Sequence, residues 1–168
     1  LLHLADVFTY ENPRTIAALV LEPIVGSNGA VVGYLQGVRK LCDEHGVVLI
    51  FDEVMTGFGR AGAAFAGERF GVVPDAIVFA KGVTSAYVPL GGVILRESLA
   101  GTFDDLPLPS GHTYSGHPLA MAAALATLQA YRHGALFERA KTIEGWLRPR
   151  LEALRDKHES LGEVRGAG

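Results

Sequence analysis

Short segments that are apolar at almost every position alternate with amphipathic segments along this chain. The apolar segments run from Ile16 to Ile24, from Val47 to Phe51, from Ala76 to Ala80 and from Gly91 to Leu95. Short runs of this kind are typical of strands that are buried on both faces of a sheet. The pattern therefore predicts four strands.

Three longer segments have the periodicity of helices. They run from Gly33 to His45, from Pro118 to His133 and from Leu136 to about His158, and we expect a bend in the last one near Pro149. Strands that alternate with helices favour an α/β fold with a mostly parallel sheet and helices on both faces. The turn-forming residues between Thr102 and Thr113 predict a long surface loop.

Composition and charge mainly exclude classes of function. The 168 residues are 49% hydrophobic, which suits a globular domain with a sizeable core. The net charge of -3 predicts no nucleic-acid partner and no attraction to anionic membranes. No apolar run is long enough to span a bilayer and no secretory leader is recognisable, so we expect a cytoplasmic location.

Cysteine and histidine usage argues against a disulfide and against a metal site. Cys42 is the only cysteine, and its place in the apolar pattern of a helix indicates a small core residue. The six histidines lack the paired spacing of metal ligands, so we predict no metal.

Two charged residues come directly after predicted strands: Asp52 and Lys81. Ligands in open α/β sheets bind at the carboxyl ends of the strands. A lysine amine there can form a Schiff base with an aldehyde cofactor, and a nearby carboxylate can keep a pyridine nitrogen protonated. Position alone leaves structural alternatives open: Asp52 as a helix N-cap or ion-pair partner, and Lys81 as an ordinary surface side chain.

Four longer motifs surround these two residues. They are LVLEPIVGSNGAVV (19–32), FDEVMTGFGRAG (51–62), FGVVPDAIVFAKGVTSAYVPLGG (70–92) and GHTYSGHPLAMAAALATL (111–128). In this order and spacing they closely resemble the class III aminotransferases over nearly the whole chain. The Tyr-x-Pro at Tyr87–Pro89 is similar to the ω-type members of that family.

The resemblance implies a pyridoxal 5'-phosphate (PLP) site with four residues from this chain. Lys81 would hold the cofactor as a Schiff base and, once displaced by substrate, carry the proton. Asp52 would pair with the pyridine nitrogen, and Val54 would pack on one face of the ring. Thr113 would hydrogen-bond the phosphate bound in the neighbouring subunit, which implies a homodimer with a shared active site.

The resemblance also implies a domain organisation and an activity. Residues 1–161 would form the central and C-terminal part of the large domain of a fold-type I PLP enzyme. Residues 162–168 would begin the linker to a small C-terminal domain that this sequence lacks. The implied reaction moves an amino group from an amine or ω-amino acid donor to a keto acid such as pyruvate.

Two alternatives to that activity stay open: an intramolecular aminomutase of the glutamate-semialdehyde type, which shares DEVMTGF, and an inactive truncated remnant of the family. The family's phosphate-binding turn and its substrate-binding arginine fall outside this sequence. We therefore expect the isolated chain to bind PLP weakly and not to turn over.

Two positions depart from the ornithine- and 4-aminobutyrate-type relatives. Ser27 stands where those relatives have a glutamate that gates the substrate-binding arginine, and Met55 stands where they often have a glutamine on the cofactor's 3'-hydroxyl. Both departures weaken the case for those two activities. Glu22 and Glu53 have no assigned chemical step at this point.

Overall fold

A computed structural model describes residues 1–26 and 34–168. Its helices and strands follow in chain order: α1 (Leu2–Tyr10), β1 (Ala18–Leu21), α2 (Leu35–His45), β2 (Val48–Asp52), α3 (Ala66–Arg69), β3 (Ala76–Phe79), β4 (Gly92–Leu95), α4 (Glu97–Ala100), α5 (Pro118–His133) and α6 (Leu136–Lys157). Single 3₁₀ turns lie at Pro13–Thr15, Lys81–Val83 and Gly101–Phe103.

The four strands form one sheet in the order β1-β2-β3-β4. β1 pairs with β2 and β2 with β3 in parallel, whereas β4 pairs with β3 in the antiparallel direction. A parallel return usually needs a crossover helix, and the connection before β4 contains only the 3₁₀ turn Lys81–Val83. The predicted mostly parallel α/β sheet is confirmed.

One face of the sheet packs against α1 and α2. Leu49 and Phe51 of β2 are fully buried on this face, beside Phe8 of α1 and Val38 of α2. Cys42 belongs to the same cluster, as predicted, and burial raises the pKa of its thiol. Since side chains alternate along a strand, the neighbours of Leu49 and Phe51 point to the opposite face.

The opposite face of the sheet includes the last residue of β2, Asp52. The strand register aligns Asp52 with Val78 and Val78 with Val93, so the three side chains lie on this face. Val93 is 58% exposed and Val20 of β1 is 59% exposed. This face is therefore apolar and accessible around Asp52.

The first strand is shorter than the predicted segment from Ile16 to Ile24. The 3₁₀ turn Pro13–Thr15 precedes the strand. The start of this turn is fixed by the Asn12 side chain, which accepts a hydrogen bond from the Arg14 N–H at 3.1 Å. Pro23 ends the ladder soon after Leu21, because proline has no N–H to donate. The pattern also missed α1 and the one-turn helices α3 and α4.

The two C-terminal helices lie within one residue of their predicted bounds. Pro118 occupies the first turn of α5, where its missing N–H costs nothing. α6 continues through Pro149. Within residues 1–26 and 34–168, no helix is both long and apolar enough to cross a membrane.

Candidate active site

Asp52 ends β2, and a turn begins immediately after it. Its Oδ1 accepts a hydrogen bond from the backbone N–H of Val54 at 3.0 Å. The side chain is half-buried, so one carboxylate oxygen is anchored while the group stays accessible to a ligand. A hydrogen bond from the N–H two residues on is the one that an N-cap side chain accepts, but no helix begins directly after Asp52. Among residues 1–26 and 34–168, Asp52 forms no ion pair.

Lys81 opens the 3₁₀ turn that follows β3. Its backbone has φ 43°, in the left-handed region, which is uncommon for a residue other than glycine. Its Nζ lies 2.7 Å from the Sδ of Met55, a residue of the turn that follows Asp52. The amine of Lys81 therefore reaches across from β3 to the carboxyl end of β2.

Neither of these two charged groups is neutralised by the other side chains described. Over residues 1–26 and 34–168, all salt bridges join other residues, and Asp52 and Lys81 do not pair with each other. An unpaired amine and an unpaired carboxylate at adjacent strand ends fit a ligand that carries an aldehyde and a protonated ring nitrogen. The residues present thus fit the PLP that the resemblance implies.

An open cavity of about 780 Å³ adjoins Lys81. Its walls come from residues of the loop 84–91, from the turn 112–116 and from Met121 of α5. Cavities of this size accommodate small-molecule ligands.

Of the other two predicted cofactor residues, Val54 contacts Asp52 and Thr113 lies in the turn before α5. Val54 is half-buried, and its N–H is the donor that anchors Asp52. Thr113 is exposed in the turn before α5, and its neighbours His112 and Tyr114 line the cavity beside Lys81. The structure brings Asp52, Val54 and Lys81 to the ends of β2 and β3, and the roles of all four predicted residues stay predictions.

Glu53 is a structural residue whose role the sequence pattern left unassigned. Its side chain is fully buried and accepts hydrogen bonds from Ala66 N–H at 2.8 Å, Gly67 N–H at 2.8 Å and the Thr56 hydroxyl. It therefore ties the turn that carries Val54 and Met55 to the start of α3. The one available signal was strand alternation, which points Glu53 inward when Asp52 points outward.

The Glu22 carboxylate stabilises the turn that follows β1. Its Oε2 accepts a hydrogen bond from the N–H of Gly26 at 3.3 Å, just after β1. Ser27, the other notable position of this segment, lies outside the described residues. Among those that are described, no three His, Cys, Asp or Glu side chains come together as a metal site.

Comparison with solved structures defines the class of protein. The chain superposes on the taurine:2-oxoglutarate aminotransferase of Bifidobacterium kashiwanohense, solved in complex with PLP and glutamate, with a TM-score of 0.94 and 46% identity. The match covers 99% of this chain and 38% of that one. The fold is that of the α/β domain of a PLP-dependent transaminase.

The family follows from the sequence comparison. The model of the class III aminotransferases matches residues 3–168, and the chain belongs to this family. An omega-aminotransferase of Caulobacter vibrioides is 46% identical over 99% of this chain and 40% of its own length. An omega-amino acid–pyruvate aminotransferase of Pseudomonas putida is 44% identical over 74% of this chain and 30% of its own length. The chain thus spans less than half the length of these relatives.

Proposed function

We propose that the protein containing this chain is a PLP-dependent aminotransferase that moves an amino group from an amine or ω-amino acid to a keto acid such as pyruvate. The observation that carries the proposal is the Lys81 amine beside the turn that follows the Asp52 carboxylate, neither of which forms a salt bridge within residues 1–26 and 34–168. The similarity to an omega-amino acid–pyruvate aminotransferase supports the choice of donor and acceptor.

Lys81, Asp52 and Val54 each have a distinct task in this proposal. When bound, PLP supplies a ring that withdraws electrons from the substrate carbon. Lys81 would hold the cofactor through its Nζ, and the same amine, once released, would take up the proton from the substrate carbon. Asp52 keeps the ring nitrogen protonated, and the Val54 side chain, stiff because it is β-branched, packs on the ring face.

The proposal extends to assembly and organisation. The Thr113 hydroxyl donates a hydrogen bond to the phosphate bound by the partner subunit, so the active protein is a homodimer with two shared sites. It is located in the cytoplasm. Residues 1–161 form the central and C-terminal part of the cofactor-binding large domain, and residues 162–168 lead towards a small C-terminal domain. The exposed position of Thr113, beside the cavity-lining His112 and Tyr114, supports its role at a subunit boundary.

A donor and acceptor assay on the complete protein tests this function. We expect ω-amino acid and amine donors to convert pyruvate to alanine, with no product when the keto acid is omitted. Lys81→Ala should lower the rate by at least about 10²–10⁴-fold, because the proton carrier is lost. Lys40→Ala is the matched control, since the Lys40 side chain is 77% exposed on α2.

Two results would contradict the proposal. Isomerisation of an amino aldehyde without any keto acid, and no amino transfer to pyruvate, would identify an aminomutase instead. Unchanged amino transfer by the Lys81→Ala protein would remove Lys81 from the chemistry.

A further inference from the structure

The backbone around Lys81 adopts an energetically unfavourable conformation. Three non-glycine residues in this short segment have positive φ: Lys81 at 43°, Ser85 at 52° and Ala86 at 65°. A left-handed conformation is unfavourable for a residue other than glycine, because its Cβ lies too close to the following carbonyl oxygen. Such a conformation persists only where the surrounding structure holds it in place.

The backbone hydrogen bonds directly after Lys81 are long, whereas the later part of the turn is held by a short hydrogen bond from the Thr84 hydroxyl to the Val88 carbonyl, at 2.5 Å. The Lys81 carbonyl accepts from the N–H groups of Thr84 and Ala86, both at 3.4 Å, and the Gly82 carbonyl accepts from the Ser85 N–H at 3.2 Å. Backbone N–H···O bonds are usually close to 2.9–3.0 Å. The backbone at Lys81 and Gly82 is therefore the part of the turn that its own N–H groups hold least tightly.

Support for this part of the turn comes from α5. The hydroxyl of Tyr131 donates a hydrogen bond to the carbonyl of Gly82 at 2.7 Å, across 49 residues of sequence. Gly82 is buried, and a Cβ at its position would lie 2.7 Å from the Cβ of Phe58. The backbone directly after Lys81 is thus held by Phe58 on one side and by the Tyr131 hydroxyl on the other.

The ring of Tyr131 is itself fixed by an aromatic cluster, formed by Phe58, Phe65, Phe79, Tyr131 and Phe137. Its ring stacks on Phe58, with centroids 6.2 Å apart, and packs against Phe137 of α6 at 5.7 Å. Phe58 also contacts Phe65 at 5.5 Å and Phe79, the last residue of β3, at 5.8 Å. The cluster connects the turn after Asp52, the end of β3 and both C-terminal helices.

We propose that Tyr131 is a positioning residue for Lys81. By holding the Gly82 carbonyl, its hydroxyl maintains the left-handed turn that directs the Lys81 amine across the end of β2. Without the hydroxyl, the turn relaxes towards an ordinary right-handed conformation and the amine moves away from Met55. This inference rests on the proposed function, because it concerns the attachment of PLP to Lys81.

Replacement Tyr131→Phe in the complete protein tests the inference, since the ring and its packing remain. The first measured quantity is the rate at which the apo-protein attaches PLP to Lys81, which borohydride trapping and peptide mapping report. The second is the pair of constants kcat and KM for amino transfer. We expect attachment and kcat to fall about tenfold, as for a small misplacement of a reacting group, with KM for the keto acid unchanged. Tyr10→Phe, at a residue that is 83% exposed, should match the wild type.

A second variant separates positioning from stability. Phe137→Leu loosens the aromatic cluster but keeps the Tyr131 hydroxyl, so it should lower the thermal unfolding midpoint more than Tyr131→Phe and slow attachment less. Attachment and kcat within twofold of wild type in Tyr131→Phe would overturn the inference alone. A wild-type protein that attaches no PLP at Lys81 would overturn the proposed function and this inference with it.

Discussion

Two adjacent carboxylates, Asp52 and Glu53, have opposite surroundings at the end of β2. Asp52 is half-buried and accepts one backbone hydrogen bond, whereas Glu53 is fully buried and accepts three. The difference follows from strand geometry, because consecutive side chains point to opposite faces of the sheet. One carboxylate is left available for a ligand, and the other holds the turn that positions the first.

From the burial of Glu53 we predict how a substitution at this residue changes the stability of the fold. Glu53→Gln replaces one acceptor oxygen with an amide NH₂ that faces backbone N–H donors of α3. We expect the free energy of unfolding to fall by about 2–4 kcal/mol, because a buried polar group loses its partner. Urea denaturation of the complete protein measures this loss.

The matched control is Glu159→Gln, at an exposed residue after α6. An exposed substitution should change stability by less than about 0.5 kcal/mol. If Glu53→Gln were as stable as Glu159→Gln, Glu53 would have no part in holding the turn.

At the scale of elements, Asp75 joins α2, the sheet and the segment before α4. One carboxylate oxygen accepts from the Leu49 N–H at 2.8 Å and pairs with Arg39 of α2 at 2.8 Å, and the other pairs with Arg96 at 3.2 Å. Burial alone would raise the pKa of Asp75, but these hydrogen bonds and charges together lower it below the usual aspartate value. The charged form is therefore the one that stabilises the fold.

The lowered pKa of Asp75 predicts a pH dependence with a definite sign. A depressed pKa in the folded state contributes stability that is complete above the pKa of the unfolded chain, 3.8, and is lost as the pH falls below it. Asp75→Asn should cost about 2 kcal/mol at pH 7, and the gap to wild type should shrink as the pH falls below about 4. Denaturation curves between pH 7 and pH 3 measure both quantities, and a gap that stays constant over this range would contradict the assignment.

The elements that could be predicted from the sequence are those with strong local signals. β3 is apolar throughout, β2 is apolar up to its last residue, Asp52, and α5 starts at a proline. β1 ends early because Pro23 cannot continue the ladder, and α3 and α4 are too short to show a helical period.

The residues of the candidate site also differ in whether the sequence alone could predict them. Asp52 and Lys81 could be predicted because each follows a buried strand. The partners of Glu53 lie 13 and 14 residues downstream, and Tyr131 meets Gly82 across 49 residues, so only the folded structure brings them together.

At the scale of the whole molecule, the cavity adjoins Lys81 after β3, and the accessible sheet face includes Asp52 at the end of β2. Asp52 lies on the face where Val93 is 58% exposed and Val20 is 59% exposed. The chain also covers only 40% of the Caulobacter vibrioides relative. Weak PLP binding and absent turnover by the isolated chain stay predictions, and the central claim is best tested in the complete protein.

That claim is that Lys81 and Asp52 hold opposite ends of one cofactor ring. The most direct measurement is borohydride reduction of the protein with PLP, followed by peptide mapping of the labelled lysine. The label should lie on Lys81 in the wild type and be absent from the Lys81→Ala protein. The Asp52→Asn protein should still carry the label on Lys81 but lose turnover. A label on Lys40 or Lys141 instead, or full turnover by Asp52→Asn, would contradict the account.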